Sequence, residues 1–168
     1  MTTPNKTVIY LSASVANAPL NLKLRDHLPQ ERFELVLPQE FTPQVAHKEL
    51  EREIFERCIT EMERSSVGLL LLDAFAIDCA MESGWYHAND KPLVGIANST
   101  ARFTNNWMVK GALTHCVTLE PALYETMKRD PVMHGYTKVE LLSDWSELGR
   151  VLEEASASRG RPRAQRAS

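Results

Sequence analysis

One stretch limits the fold of this chain more than any other: SVGLLLLDAFAIDCAMESGWYHANDKPLVGI, from Ser66 to Ile96. An apolar run, Val67 to Leu72, stops at Asp73. A short loop leads to Asp78, and a helical segment carrying Glu82 follows. A second apolar run, Leu93 to Ile96, comes after Lys91-Pro92. Strand, helix and strand in this order make a βαβ unit. The runs are continuous rather than alternating, as in parallel strands buried on both faces. Open parallel sheets bind ligands beyond the carboxyl ends of their strands. That edge carries Asp73, Asp78 and Glu82, three carboxylates at one strand end.

The rest of the chain repeats the alternation. Thr7–Leu11 reads as a first strand, followed by a small-residue loop, Ser12 to Asn17. A short helix is expected over Leu20–Leu28 and a second strand over Phe33–Leu37, ended by Pro38. A long helix is expected from Gln44 to Arg64, with Leu50, Ile54, Cys58 and Met62 as its apolar stripe. Cys58 on that stripe reads as core packing or as a wall of a binding pocket. A polar loop containing Arg102 precedes a short helix over Asn106–Leu113. His115–Leu119 is the expected fifth strand, and Pro121–Lys128 a helix. Asp130–Tyr136 reads as an inserted loop and Val139–Leu142 as a short extended segment. Ser143 or Asp144 caps a last helix, Trp145 to Ala155. The fold class is therefore α/β, a flavodoxin-like sheet of five parallel strands between helices. A single domain over 1–155 precedes a disordered basic tail over 156–168.

Asp78 is a plausible N-cap, able to accept an early helix N–H. Glu82, four residues on, shares its face. The helix dipole favours a charged carboxylate near that end, and an ionised Glu in a pocket is a nucleophile or a base. The alternative is equally physical: Asp78 only caps, and Glu82 is a solvated acid.

Composition narrows the function. Hydrophobic content of 43 % and charged content of 24 % are those of a soluble globular chain. No apolar run is long enough to span a bilayer, and MTTPNKT has no apolar signal-peptide core. Cys58, Cys79 and Cys116 lack CxxC spacing and read as reduced thiols, so a cytoplasmic location is expected. The net charge of −3 argues against a nucleic-acid partner. There is no phosphate-binding glycine motif. The five histidines lack metal-ligand spacing, so no metal is expected. Trp85 and Trp107 could stack on a base or fill the core.

Three motifs in order resemble the nucleoside 2-deoxyribosyltransferase family over about residues 7–155. They are Tyr10 at the end of VIYLS; Ala80, Glu82 and Gly84 followed by Lys91-Pro92; and Asn106-Trp107-Met108. The resemblance implies a Rossmann-like homo-oligomer acting on deoxynucleosides and free nucleobases without a cofactor. It implies that Glu82 is the nucleophile, oriented by Tyr10, and that Asp73 or Asp78 holds or protonates the base. Asn106 and Met108 would reach a neighbouring subunit's site. The chain departs from the family pattern where a signature aspartate falls on Ala76, a threonine on Cys79 and a second aspartate on Cys58. Ser12 stands in a loop whose family glycine is missing, where its hydroxyl could bind a ligand. The departures touch substrate recognition. Hydrolysis of the same glycosidic bond, with or without a 5'-phosphate, and silent nucleotide binding therefore stand beside sugar transfer. Asn106 suits a neutral 5'-hydroxyl, while Arg102 and Lys110 could serve a phosphate.

Overall fold

The computed structural model describes residues 6–41, 51–98 and 106–158. Six parallel strands form one sheet in the order β2-β1-β3-β4-β5-β6. They are β1 (Thr7–Ser12), β2 (Phe33–Val36), β3 (Val67–Leu71), β4 (Leu93–Ile96), β5 (His115–Thr118) and β6 (Lys138–Leu141). The helices are α1 (Ala18–Lys23), α2 (described over Glu51–Arg64), α3 (Ile77–Ala88), α4 (Trp107–Ala112), α5 (Pro121–Arg129) and α6 (Leu148–Ala157).

The first five strands follow the expected flavodoxin-like order, and β6 corrects the expected count from five to six. It pairs with β5 from His115↔Lys138 to Thr118↔Leu141. Its sequence KVEL has no apolar run, because a strand at the sheet's margin leaves its side chains half or fully exposed. Ser156 and Ala157, expected in the tail, belong to α6. Asp144 rather than Ser143 caps the turn before α6, its Oδ1 accepting the Ser146 N–H at 2.7 Å. The expected start of α2 at Gln44, the loop with Arg102 and residues 159–168 lie outside the described residues.

Strand alternation sorts the core into two halves. Ile9, Leu11, Leu69, Val94, Ile96 and Val117 pack with Leu148, Val151 and Leu152 of α6. Tyr10, Leu70, Leu93 and Cys116 pack on the other face with Met62 of α2, Cys79 and Tyr86 of α3, and Val109 of α4. Gly68 lets α3 approach the sheet closely: a Cβ there would lie 2.8 Å from the Tyr86 ring. The Tyr86 hydroxyl in turn shares a 2.7 Å hydrogen bond with Ser65 Oγ. Lys91 ties the same corner together, its Nζ donating to the carbonyls of Met62 (2.9 Å) and Ser65 (2.8 Å) at the end of α2. The helices bearing Cys58 and Glu82 are thus fixed to one edge of β3.

Candidate active site

On a strand, residues two apart face the same side. Tyr10 and Ser12 of β1 therefore both point toward α3. On α3 the buried residues are Cys79, Glu82, Ser83 and Tyr86, the i, i+3, i+4, i+7 set of one helical face. Glu82 faces inward and is only 7 % exposed, so it is not a solvated acid. Tyr10 Oη donates to Glu82 Oε1 at 2.6 Å, and Ser12 Oγ donates to Glu82 Oε2. One hydroxyl serves each carboxylate oxygen, which fixes the plane of the carboxylate and leaves each oxygen a second lone pair.

Burial raises the Glu82 pKa, the two hydroxyl donors lower it, and the negative charge of Asp78 raises it again; the net direction is upward. Taking a carboxylate out of water costs several kcal/mol. Hydrogen bonds to a charged group return about 1.5–3 kcal/mol each. The donors offset much of the burial cost without cancelling it. The helix dipole contributes little, because Glu82 lies in the second turn of α3 and the effect fades beyond the first. The Tyr10 phenol is pushed far above its ordinary range by burial and by the adjacent Glu82 carboxylate, so it remains a donor.

Two thiols complete this site. Cys58 is half-buried on α2 against Tyr10, and Cys79 is buried on α3 against Ser12. Cys58 therefore both packs on the core and borders the site. Cys79 was visible in the sequence only as a departure from a family pattern; its place one helical turn before Glu82 was the signal of a shared face.

Other expectations need correction. Asp78 is not the N-cap of α3. That position is Ala76, and Asp78 is the second helical residue, exposed one turn before Glu82. Asp73 does not join Glu82: its Oδ2 accepts the backbone N–H of Asn98 at 2.6 Å, tying β3 to β4. It lines a separate cleft of about 280 Å³, shared with Leu24, His27, Leu71, Ile96 and Trp145. Leu24, Leu71, Ile96 and Trp145 belong to the α6 half of the core, across the sheet from Glu82. Lys110 is buried and ion-paired with Asp130, so its ammonium is committed within the fold rather than to a phosphate.

Asn106 stands at the N-cap position of α4, without a side-chain capping bond; α4 packs beside α3, and Met108 is 89 % exposed. Neither Met108 nor Trp107, itself 73 % exposed, fills the core of its own chain. Ile77 and Met81 on α3 are exposed as well. Among the described residues there is no His, Cys, Asp and Glu cluster fit for a metal, and no helix long and apolar enough to cross a membrane.

A family model described as nucleoside 2-deoxyribosyltransferase matches residues 9–148. A conserved protein from Enterococcus faecalis V583 is similar in structure, with TM-score 0.52 and 18 % identity over 89 % of this chain and 99 % of that one. A 2-deoxyribosyltransferase from Bacillus psychrosaccharolyticus gives TM-score 0.53 and 15 % identity over 86 % of this chain and 95 % of that one. No curated protein sequence matches the chain. At these identities the structural likeness speaks for the fold.

Proposed function

Because the chain belongs to the nucleoside 2-deoxyribosyltransferase family, we propose that it moves 2-deoxyribose between nucleobases through a deoxyribosyl ester of Glu82. The observation that carries the proposal is the buried Glu82 carboxylate held by Tyr10 and Ser12 beyond the carboxyl end of β1. A Glu82 oxygen attacks the anomeric carbon of a 2'-deoxynucleoside. The carbon–nitrogen bond breaks, its electron pair leaves with the base, and the base nitrogen takes a proton. A second base then attacks the same carbon, loses its proton, and releases the carboxylate, as in a retaining glycosidase. Asp78, exposed one turn before Glu82, is the acid that holds and protonates the departing base; Asp73, in the other cleft, is not. The residues described require no cofactor for these steps.

Cys58 favours a second reading. A thiol against Tyr10, where the resemblance implies an aspartate, grips an acceptor base weakly. Water then competes for the sugar, and the product is free base. Incubating the protein with deoxynucleosides, with and without adenine, distinguishes the outcomes by chromatography. A new nucleoside supports transfer, and free base alone supports hydrolysis. No change with any substrate would contradict both and leave a binding module.

The active form is a homo-oligomer with shared sites. Ile77, Met81, Trp107 and Met108 give α3 and α4 an exposed apolar surface, and Trp and Met are enriched in interface cores. Asn106, beside that surface, offers a neutral amide to the sugar 5'-hydroxyl of a neighbour's substrate.

A further inference from the structure

We propose that Ser12 serves the second half of the reaction: its hydroxyl stabilises the Glu82 carboxylate as that group leaves the deoxyribosyl ester, so the ester is discharged rather than stored. The inference rests on the reading of Glu82 as the reacting carboxylate. The observation behind it is the hydrogen bond from Ser12 Oγ to Glu82 Oε2. Ser12 is the last residue of β1, buried, and pairs with Leu70 of β3 in the sheet register. Just beyond it, the Ser14 N–H donates to the Ala74 carbonyl at 2.7 Å, tying the loop after β1 to the loop that leads into α3. Four residues past Glu82, the hydrogen bond between Tyr86 and Ser65 holds α3 to the chain just before β3. Donor and acceptor therefore sit on elements that are fixed to each other.

A hydrogen bond to a charged oxygen is roughly twice as strong as one to a neutral oxygen. Esterification takes the charge from both Glu82 oxygens, whichever of them attacks. The Ser12 bond is thus strong to free Glu82 and weak to its ester. In the first half-reaction this difference holds the carboxylate back slightly. In the second it works forward. The acceptor nitrogen bonds to the anomeric carbon, the ester carbon–oxygen bond breaks, and its electron pair returns to Glu82, where Ser12 donates to the new charge. The acceptor's proton passes to Asp78, left as a carboxylate when the first base departed. Water as acceptor follows the same balance. The donor matters because Glu82 is buried, and a carboxylate released there has little water to solvate it. Tyr10 differs: its ring is fully buried and rigid, so its hydroxyl orients the carboxylate in both half-reactions. With Tyr10 in place, loss of the Ser12 hydroxyl removes charge stabilisation and keeps most of the orientation.

The test compares wild type with Ser12→Ala and Ser12→Thr, each checked for folding by circular dichroism. Each of the four common 2'-deoxynucleosides is mixed with its own free base at a series of ratios and quenched in acid. Intact mass then gives the ratio of ester to free protein. At a given ratio of base to nucleoside, Ser12→Ala should hold about three- to tenfold more ester than wild type. It should lower kcat/KM for the acceptor base by a similar factor, and kcat/KM for the nucleoside by less than about twofold. Under hydrolysis the same excess of ester is expected, since water discharges it more slowly. Ser12→Thr, which keeps the hydroxyl, should return the ester ratio toward wild type. A side chain that only fills space or orients Glu82 would lower both constants alike and leave the ester ratio unmoved. That result in Ser12→Ala, with ester formed by the wild type, would overturn the inference and leave Glu82 as the nucleophile. So would a folded Ser12→Thr protein as shifted as Ser12→Ala. A wild type that forms no ester with any of the four nucleosides would instead defeat the reading of Glu82 itself, and this inference with it.

Discussion

The cleft that holds Asp73 and the setting of Glu82 lie on opposite faces of the sheet, and they differ in kind. The cleft beside α1 has about 280 Å³ of room, and its walls set Asp73 and His27 among Leu24, Leu71, Ile96 and Trp145. The Glu82 site, on the other face, holds a carboxylate sunk against β1 with a hydroxyl on each oxygen. A backbone bond from Ser14 N–H to the Ala74 carbonyl, 2.7 Å long, joins the loops that follow β1 and β3. The contrast teaches that reactive chemistry belongs where a charge has been buried and then compensated. Empty volume alone, as in the cleft, supplies room without a poised group.

The sharpest way to break this contrast is Glu82→Gln. It keeps the shape and removes the proposed nucleophile, so deoxynucleoside turnover should fall on the order of a thousandfold or more. Turnover near wild type would move the chemistry elsewhere. Tyr10→Phe comes next. It removes one hydrogen bond to a charged oxygen, about 1.5–3 kcal/mol, and should lower kcat/KM by about ten- to a hundredfold. Its acid limb should also move upward, since the Tyr10 donor lowers the Glu82 pKa. In the wild type that limb should lie above the ordinary glutamate range, because burial raises this carboxyl, and activity should be lost as the pH falls through it.

Subunit exchange sharpens the comparison from outside the chain. Glu82→Ala and Asn106→Ala are each expected to be nearly inactive. If the sites are shared, some mixed oligomers place both lesions in one site and leave the other intact, so mixing should restore part of the activity. No recovery after exchange is shown by mass would rule out shared sites. The smallest effects belong to the cleft. Lys23→Ala and His27→Ala should change kcat/KM by no more than about twofold, as for surface positions remote from the site. A loss like that of Tyr10→Phe would mean that the cleft holds substrate.

Glu82 also predicts a stability cost. Its folded pKa is raised, so between the unfolded and folded values the native state binds more protons than the unfolded one. Stability therefore falls as pH rises through that window. Glu82→Gln should melt higher than wild type at neutral pH, and the difference should shrink as the pH is lowered through the raised value. Equal melting at all pH values would mean that the two hydroxyls fully offset the burial.

Much of this was legible because period and spacing are local. The continuous runs Val67–Leu72 and Leu93–Ile96 announced buried parallel strands, whereas Ser12, read as the start of a loop, is the last residue of β1 and shares the Tyr10 face. What escaped depends on tertiary contacts. Asp73 follows a strand as a ligand-binding acid would, yet its side chain turns to the backbone of Asn98, just past the next strand. Asp78 has the chemistry of an N-cap, but the chain enters α3 at Ala76, and a cysteine takes over part of the capping. Lys110 looked available for a phosphate until Asp130, twenty residues on, was seen beside it. β6 was hidden because a half-exposed strand needs no apolar run.

The most direct measurement is intact-mass analysis of the protein mixed with a 2'-deoxynucleoside and no acceptor base, followed by peptide mapping. The expected result is a gain of one deoxyribosyl unit on the peptide bearing Glu82, absent in Glu82→Gln and discharged when adenine is added. Turnover without any adduct under rapid acid quench, or an adduct on another residue, would contradict the assignment of Glu82 as the nucleophile.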